Sequence, residues 1–396
     1  MRLLGGALAL IETALVAASG YLLLLLLAAR RSAEEASGHE AAPAQQLRLV
    51  VLVPAHNEQA AISAAVRSLL RCDYPHARRR VIVIADNCDD RTAQLAIAAG
   101  AEAWERVEES RRGKGFALAW ALARLQDEQA DFEAVVTVDA DCTVSDNLLS
   151  AVDRRLRGGA QALQVNYLAA NPEASNAAAL RFAGFALVNT VRFLGKQRLG
   201  LSCGLVGTGM AFTRELLGRQ AWREVGLIED GEYHMRLVLA GERTEFVHEA
   251  SVSSPMPTTL GTSAEERWEQ GRLDLIRRWA PRLLLSGLAK RDLVRLHSGL
   301  ECLVPPQSLI AAVGLGAAAM RLLVGPRRLV LLSLASLAAQ GVFVLGGLRL
   351  VRAPSAVYRA LLSAPALIAS KSLLYLRLLR GRGPTTWVRT ERDAGL

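Results

Sequence analysis

Several residue types and motifs that mark common protein classes are scarce or missing in this 396-residue chain. Aromatic residues make up only 5%, and the five cysteines form no CxxC pair, which argues against a disulfide framework or a zinc site and favours a reducing compartment. No GxxxxGK[ST] loop, interleaved basic-aromatic tract or internal repeat occurs. The sequence therefore excludes a P-loop nucleotide site and gives no support for a nucleic-acid partner.

Apolar residues are abundant instead, and their location explains the charge. They make up 51% of the chain and lie mainly in long runs of alanine and leucine. A net charge of +9 would fit a nucleic-acid binder, but much of the arginine flanks these apolar runs. Because cations beside apolar runs are typical of membrane proteins, we interpret the charge as membrane-flanking.

Residues 1–31 contain the run LLLLLLAA and a single acidic residue, Glu12. About 20 apolar residues are needed to cross a bilayer, whereas the apolar part of a cleaved signal peptide usually has about 7–15. We therefore predict an N-terminal transmembrane helix over 1–31. Arg30 and Arg31 follow the run and only Arg2 precedes it, so the domain that follows is predicted to lie in the cytoplasm.

The middle of the chain alternates between strands and helices. A polar linker is predicted at 32–46, and apolar runs then alternate with amphipathic helical stretches. The predicted strands are 47–55, 81–85, 101–104, 134–138 and 162–167, and the predicted helices are 58–70, 91–99, 116–126 and 176–194. This alternation predicts an α/β domain over 47–260 with a parallel, doubly wound sheet, which binds ligands beyond the carboxyl ends of its strands.

The stretch Ala134–Cys142, AVVTVDADC, is the centre of the prediction. A run of β-branched residues ends in Asp139 and Asp141, which the alternation of a strand would place on one face. Two carboxylates that close repel each other and tend to raise one pKa, and a divalent cation relieves the conflict. Oxygen ligands of this kind suit Mg²⁺ or Mn²⁺ bridged to a phosphate. The alternative is a strand that simply ends in an Asp-rich turn.

Further polar residues follow the ends of neighbouring strands. Asn57 and Glu58 follow the first strand, Asp86 follows the second, and Lys114 lies between two glycines in the loop RRGKG. Asp86 could accept hydrogen bonds from a base or a ribose, or it could cap a helix. Lys114 could reach a diphosphate, or it could be a solvated loop lysine. We expect all four side chains at the edge of the sheet where Asp139 lies.

Two later motifs could complete a site. The segment LVGTGMAF holds Gly207 and Gly209, which predict close backbone packing or a ligand under the loop. Glu229 and Asp230 form a second acidic pair before a helical stretch. One of the two could act as a general base that takes a proton from an attacking hydroxyl group, or the pair could only cap the helix.

The C-terminal part is predicted to meet the membrane again. Tryptophan and arginine share the amphipathic stretch 261–298, which predicts interfacial helices, with a packed surface helix as the alternative. Two transmembrane helices are predicted within 299–350, the first of them kinked or shortened at Pro305 and Pro306. Residues 351–396 are predicted to form an interfacial helix and a cytoplasmic tail, because basic residues interrupt the apolar run.

In order and spacing, these motifs resemble those of the membrane-bound glycosyltransferases of family 2, the group that contains cellulose, chitin and hyaluronan synthases. The resemblance covers roughly residues 50–279. It rests on VPAHNE (53–58), IADNCDD (84–90), RGKG (112–115), VDAD (138–141), IED (228–230) and RW (267–268). The resemblance implies a GT-A (Rossmann-like) fold and a nucleotide-diphosphate sugar donor, foremost a UDP-sugar, used with Mg²⁺ or Mn²⁺.

The resemblance also implies roles for single residues on the donor side. The residues implied to line the nucleoside are Pro54, Ala55, Glu58 and Asp86. Lys114 would lie near the diphosphate, Asp139 would be the aspartate on the nucleotide side and a metal ligand, and Asp141 would bind the metal.

On the acceptor side, the resemblance makes Asp230 the base that deprotonates the acceptor hydroxyl group, with inversion at the sugar carbon. Arg267 and Trp268 resemble the end of a QxxRW motif, in which arginine contacts the diphosphate and tryptophan the acceptor. The glutamine position is Ala264 here, so a processive polymerase is not implied. The expected acceptor is a lipid or glycan at the inner (plasma) membrane, in cell-envelope polysaccharide or glycolipid synthesis.

Two other functions fit parts of the pattern. A Mg²⁺-dependent nucleotidyltransferase also uses a parallel sheet and paired aspartates, but it would be expected to carry a basic glycine-rich loop where this chain has VPAHNE. A non-enzymatic membrane protein that only senses a nucleotide is the third hypothesis. Full biological activity of an Asp141→Asn variant would favour it.

Overall fold

The computed structural model describes residues 2–35, 46–224, 226, 228–259, 263–324 and 330–380. Its strands are β1 Leu49–Ala55, β2 Arg79–Asp86, β3 Glu102–Arg106, β4 Ala134–Thr137, β5 Thr143–Val144, β6 Ala162–Ala169, β7 Met210–Thr213 and β8 Thr244–Ser254. Most of the predicted linker and the predicted cytoplasmic tail from residue 381 lie outside the described residues.

The α-helices of this part are α1 Arg2–Glu35, α2 Ile62–Leu70, α3 Thr92–Ala98, α4 Lys114–Asp127, α5 Leu148–Arg157, α6 Asn176–Phe185, α7 Phe193–Arg198, α8 Arg214–Arg219, α9 Glu229–Ala240, α10 Ser263–Lys290, α11 Leu293–Leu303, α12 Gln307–Val324, α13 Val330–Leu350, α14 Ser355–Ala360 and α15 Ala364–Leu379. A π-helical segment, Ala186–Arg192, joins α6 to α7. Short 3-10 turns lie at His76–Arg78 and Leu361–Ser363.

The eight described strands form one mixed sheet in the order β3-β2-β1-β4-β7-β6-β8-β5. β1 is parallel to β2 and β4, and β2 is parallel to β3. β7 runs antiparallel to both β4 and β6, and β5 runs antiparallel to β8. The predicted α/β fold is confirmed, but the prediction of a parallel sheet throughout is wrong. A short apolar run predicts a buried strand without indicating the direction in which it runs.

The direction of β7 decides what lies at the ligand-binding edge. Met210, the first residue of β7, pairs with Thr137, the last residue of β4. The loop that precedes β7 therefore lies beside the residues that follow β4. In a parallel strand the same loop would have been carried to the opposite edge of the sheet.

Helices cover both faces of the central strands. Val51 of β1 belongs to a buried cluster with Ile62 of α2, whereas Leu52 belongs to a second cluster with Leu118 of α4. Successive side chains of a strand point to opposite faces, so the apolar run of β1 serves both clusters. Full burial of such a side chain contributes about 1.5–3 kcal/mol, so the packing of helices on both faces stabilises the central strands.

In the described ranges, four helical segments have the length and apolar composition to cross a membrane, and a bent pair of helices makes a fifth if it is counted as one span. The four single segments are Gly5–Arg31, Asn176–Arg198, Val330–Leu350 and Ser355–Leu378. The bent pair is α11 and α12, which meet at 63° around the break that holds Pro305 and Pro306, as predicted. The sequence did not predict the second segment as a span, and it is largely buried inside the protein. The predicted interfacial stretch after residue 351 also has the composition of a span.

An ion pair inside this group of helices joins α1 to α12. Glu12 accepts a hydrogen bond from Arg321 at 2.6 Å and another from Ser333 of α13 at 3.2 Å, and all three side chains are buried. Breaking such a buried pair by removing one partner leaves an uncompensated charge. The first helix is thereby packed into a bundle with α12 and α13.

Candidate active site

The carboxyl ends of three neighbouring parallel strands form the floor of the site. β1 ends at Ala55, β2 ends at Asp86, and β4 ends two residues before Asp139. Ala55 pairs with Ala85, so the first two strands end at the same level. The edge predicted from the sequence therefore exists, and it gathers residues from distant parts of the chain.

Asp139 and Asp141 lie in a turn beyond β4, not on the strand itself. The backbone N–H of Cys142 donates to the carbonyl of Asp139 at 3.0 Å, which closes the turn. Ligand atoms of Asp139, Asp141 and Cys142 all lie within 4.8 Å of one another. The two carboxylates therefore converge as predicted, but they do so through a turn and not through strand alternation.

This acidic turn fits a hard divalent cation. Carboxylate oxygens are the ligands that Mg²⁺ and Mn²⁺ prefer, whereas a thiol suits softer metals. Burial raises the pKa of the Cys142 thiol well above its ordinary value, and the charges of Asp141 and Asp139 raise it further. The thiol therefore stays protonated, and the two aspartates are the candidate ligands. Cys142 was not predicted as part of the site, although its position directly after Asp139-Ala140-Asp141 indicates that it lies beside the two aspartates.

Lys114 lies against this turn. It is the first residue of α4 and follows Gly113, whose φ of +125° is a conformation that favours glycine. Its ammonium group forms an ion pair with Asp139 and donates to the carbonyl of Gly207 at 2.8 Å. Burial alone would lower the pKa of Lys114, but the negative charges of Asp139, Glu229 and Asp230 raise it overall. The lysine is therefore positively charged at the edge of the sheet.

The loop before β7 forms the other wall. Thr208 Oγ1 accepts a hydrogen bond from the backbone N–H of Asp139 at 3.0 Å. A Cβ at Gly207 would lie 3.4 Å from Lys114 Nζ and 3.5 Å from Asp230 Oδ2, so these two groups flank one point. A Cβ at Gly209 would lie 2.9 Å from Val252. Close packing at Gly209 was predicted, and the role of Gly207 beside two charged groups is new.

Glu229 and Asp230 begin α9, where helix-terminal N–H groups favour negative charge. Burial raises the pKa of Glu229 to about 7, and the charge of Asp230 contributes to the shift. Burial also raises the pKa of Asp230, while Lys114 acts in the opposite direction. The predicted base thus lies beside Lys114, and its pKa is raised above the ordinary value of an aspartate.

Asp86 is held by a residue that the sequence analysis did not find. Arg106, at the end of β3, donates to Asp86 Oδ1 at 2.5 Å, and Asn87 Nδ2 donates to the same oxygen at 3.1 Å. The Asp86 and Arg106 side chains are both buried. No motif marks Arg106, because it becomes a partner of Asp86 only when β2 and β3 pair in register.

The other residues predicted to line the nucleoside lie close by. Pro54 and Ala55 are the last residues of β1, and Glu58 lies in the turn that precedes α2. The backbone N–H of Glu58 donates to Thr92 Oγ1 at 2.8 Å, which joins this turn to the start of α3.

The predicted acceptor residues lie on α10. Arg267 belongs to this helix, but its side chain lies outside the described residues. Trp268 is 43% exposed and packs edge-on against Phe185, with ring centroids 6.1 Å apart. Phe185 in turn packs against Tyr167 at 5.1 Å. Burial raises the pKa of Tyr167, and the nearby charge of Asp141 raises it further, so this row of rings extends from Trp268 toward the acidic turn.

Contacts on two sides fix α10. A Cβ at Gly271 would lie 2.7 Å from Ile228, which shows how closely α10 approaches the start of α9. Near its own start, Glu265 forms a buried ion pair with Arg181 of α6 at 2.6 Å. Glu269 accepts hydrogen bonds from Lys371 at 2.9 Å and from Tyr375 at 2.5 Å, both on α15.

A search of protein families matches residues 46–271 to the family described as "Glycosyltransferase like family 2". Among curated proteins, the chain is 23% identical over 239 residues to the "Probable glycosyltransferase YdaM" of Bacillus subtilis (strain 168), covering 57% of this chain and 55% of that protein. It is 34% identical over 128 residues to the "Beta-monoglucosyldiacylglycerol synthase" of Trichormus variabilis, covering 31% of this chain and 26% of that one. The chain thus spans about half or less of these relatives' length.

Among solved structures, the fold is similar to that of the mannosyltransferase PcManGT from Pyrobaculum calidifontis, solved in complex with GDP-Man and Mn²⁺. The two share 20% sequence identity with a TM-score of 0.58, over 95% of this chain and 99% of the other. The predicted GT-A fold is confirmed, with its mixed sheet and its apolar helices toward both ends of the chain. Enzyme relatives throughout disfavour the non-enzymatic hypothesis.

Proposed function

This chain belongs to the glycosyltransferase-like family 2, and from that premise we propose that it is an inverting, metal-dependent membrane glycosyltransferase. It would move a sugar from a nucleotide-diphosphate sugar, with UDP-sugars as the first donors to test, to a hydroxyl group of a lipid or glycan. The single observation that carries this proposal is that Lys114, Asp139, Asp141 and Asp230 lie close together at the carboxyl edge of the sheet.

On the donor side, Arg106 holds the Asp86 carboxylate in place. This carboxylate would accept hydrogen bonds from the base or the ribose. Pro54, Ala55 and Glu58 would line the same nucleoside subsite from the end of β1. Lys114 supplies positive charge beside the position of a diphosphate. Asp139 and Asp141 would hold Mg²⁺ or Mn²⁺, which when bound neutralises the charge that builds up on the leaving diphosphate.

On the acceptor side, Asp230 is assigned as the general base. It would take the proton of the acceptor hydroxyl group as the oxygen attacks the sugar carbon and the bond to the diphosphate breaks, with inversion at that carbon. Its raised pKa supports this role because a base must both accept a proton and be ionised at the working pH. Trp268 and Arg267 remain the proposed contacts to acceptor and diphosphate.

We also propose that the protein is a multi-pass protein of the inner membrane with its catalytic domain in the cytoplasm, where sugar nucleotides are found. Arg30 and Arg31 after the first apolar run support this orientation. α10 carries the exposed Trp268, and both α10 and α15 carry basic side chains beside exposed leucines, as expected of interfacial helices. An acceptor with a lipid part would reach Trp268 from that interface.

A donor screen tests the function. The full-length protein in detergent is incubated with Mn²⁺ or Mg²⁺, a panel of sugar nucleotides and membrane lipids, and the released nucleoside diphosphate is measured. We expect release with one or a few donors, strong stimulation by lipid extract, and loss of release in EDTA. Release of pyrophosphate from a nucleoside triphosphate instead would identify a nucleotidyltransferase. Transfer only to water-soluble acceptors would refute the lipid acceptor.

A further inference from the structure

We propose that Lys114 is a resident counter-cation of the nucleotide-free site: its ammonium group occupies Asp139 until a divalent ion and a nucleotide arrive, and it then moves to the diphosphate. This inference rests on the proposed function, because it takes Asp139 and Asp141 as metal ligands. It adds a competition between a side chain of the protein and the metal ion, which would make metal binding depend on the nucleotide.

The contacts of Lys114 show that it already occupies a candidate metal ligand. Its ammonium group is paired with one oxygen of Asp139 and also donates to the carbonyl of Gly207 at 2.8 Å. Asp139 is at the same time part of the group whose ligand atoms lie within 4.8 Å of one another. A cation bound by this group and the ammonium of Lys114 therefore draw on the same carboxylate.

The negative charge around Lys114 explains why a cation is needed there. Asp230 Oδ2 and Lys114 Nζ both lie within 3.5 Å of the point where Gly207 would carry a Cβ, and Glu229 adjoins Asp230. Carboxylates this close together repel one another, more strongly near a protein than in bulk water. Asp139, Asp141 and Asp230 thus need a cation nearby whether or not a metal ion is present. Lys114 provides one as part of the chain.

The proposal also requires that the Lys114 side chain can move away from Asp139, and the local backbone allows this. Lys114 lies between Gly113 and Gly115, and apart from the two chain neighbours of Gly113 no heavy atom of the described residues lies within 4 Å of a Cβ placed there. The ammonium group is a compact charge on a flexible four-carbon stem, so it can turn without a change of the helix that follows. The lysine side chain is also 21% exposed.

The test measures Mn²⁺ binding to the full-length protein in detergent without nucleotide, by electron paramagnetic resonance of free Mn²⁺. We expect Lys114→Gln to bind Mn²⁺ about tenfold more tightly than the wild type, because the competing cation is gone. With Mn²⁺ saturating, the same variant should bind UDP at least about tenfold more weakly. Lys114→Arg keeps the charge and should resemble the wild type in Mn²⁺ binding.

Arg112→Gln is the matched control, because it removes one positive charge from the same loop. Arg112 is 59% exposed and its nearest acidic partner, Glu109, is 3.7 Å away. Its Mn²⁺ affinity should stay within about twofold of the wild type, since exposed charges are screened by solvent. Equal or weaker Mn²⁺ binding by Lys114→Gln would overturn the inference while leaving the transferase function intact. No saturable Mn²⁺ binding in either protein would overturn the metal site as well.

A second measurement needs no substitution. The acylation rate of the Lys114 amine in the wild type is followed by mass spectrometry with and without Mn²⁺. Release from Asp139 frees the amine from its partner, so Mn²⁺ alone should speed acylation several-fold, and Mn²⁺ with UDP, whose diphosphate binds the amine, should slow it again. An acylation rate that Mn²⁺ leaves unchanged would contradict the proposed displacement.

Discussion

The two sides of the site are built by different means. On the donor side, Asp86 and Asp139 are positioned by strand ends whose register is fixed by a buried core, and Lys114 by the start of α4, which packs on that sheet. On the acceptor side, α10 is held by Gly271 against α9 and by ion pairs of its acidic residues to α6 and α15. The donor side therefore depends on the sheet and the elements packed directly on it, whereas the acceptor side depends on helices that also adjoin the apolar C-terminal segment. Substitutions should separate the two.

The largest effect is expected on the donor side from Asp141→Asn. It keeps the size of the side chain but removes a charge that the metal requires, so kcat for release of nucleoside diphosphate should fall about 10³-fold. Asp146→Asn makes the same chemical change at an exposed position five residues further on and should leave kcat unchanged. Retention of more than a tenth of the wild-type turnover by Asp141→Asn would break the donor-side account.

The next effect should come from Asp230→Asn, which removes the proposed base. Turnover should fall by about 10²–10⁴-fold, the usual contribution of general base catalysis. UDP binding in the presence of Mn²⁺ should change by less than about threefold, because the base acts on the acceptor. If UDP affinity and turnover fell together, Asp230 would contribute to donor binding and would not act only on the acceptor.

A smaller effect is expected from Lys371→Met, which removes the partner of Glu269 on α15. The pair is largely buried, so its loss should shift α10 and raise the KM for the acceptor about three- to tenfold, with an unchanged Kd for UDP. Arg277→Met on α10 is the control, since its pair with Asp274 spans 3.8 Å and is exposed. A changed Kd for UDP in Lys371→Met would show that the two sides are not separable.

The smallest effect concerns pH and stability. Burial and the neighbouring Asp230 raise the pKa of Glu229 to about 7, from an ordinary value of 4.5. Between these values the folded protein keeps a proton that the unfolded chain has lost, so stability should fall as the pH rises through this range. In EDTA, Tm of the wild type should fall by about 2–5 °C more than that of Glu229→Gln between pH 5 and 7.5. Equal slopes would contradict the raised pKa.

The sequence was most informative where chemistry and local order coincide. The strands over 49–55 and 79–86 and the acids that follow them were predicted, because an apolar run that ends in a polar residue has a direct structural meaning. The direction of β7 was not predictable, since it is decided by pairing with β4 and β6. Arg106 was missed for the same reason, because only the register of β2 and β3 brings it to Asp86.

The acceptor side was less predictable in physical terms. Trp268 and Asp230 were predicted as parts of short motifs, but the ring row through Phe185 and Tyr167 comes from packing between distant elements. The contacts of Glu269 with α15 join residues about a hundred positions apart, and no periodicity indicates them. Sequence motifs therefore indicated the candidate residues of this side, but not the packing contacts that hold them in place.

The most direct test of the whole account is the Kd of UDP for the full-length protein, measured by titration calorimetry with Mn²⁺ and with EDTA. If Asp139 and Asp141 hold a divalent ion against the diphosphate, Mn²⁺ should tighten UDP binding by at least about tenfold in the wild type, and Asp141→Asn should abolish this gain. Equal affinity for UDP with Mn²⁺ and with EDTA would contradict the central claim.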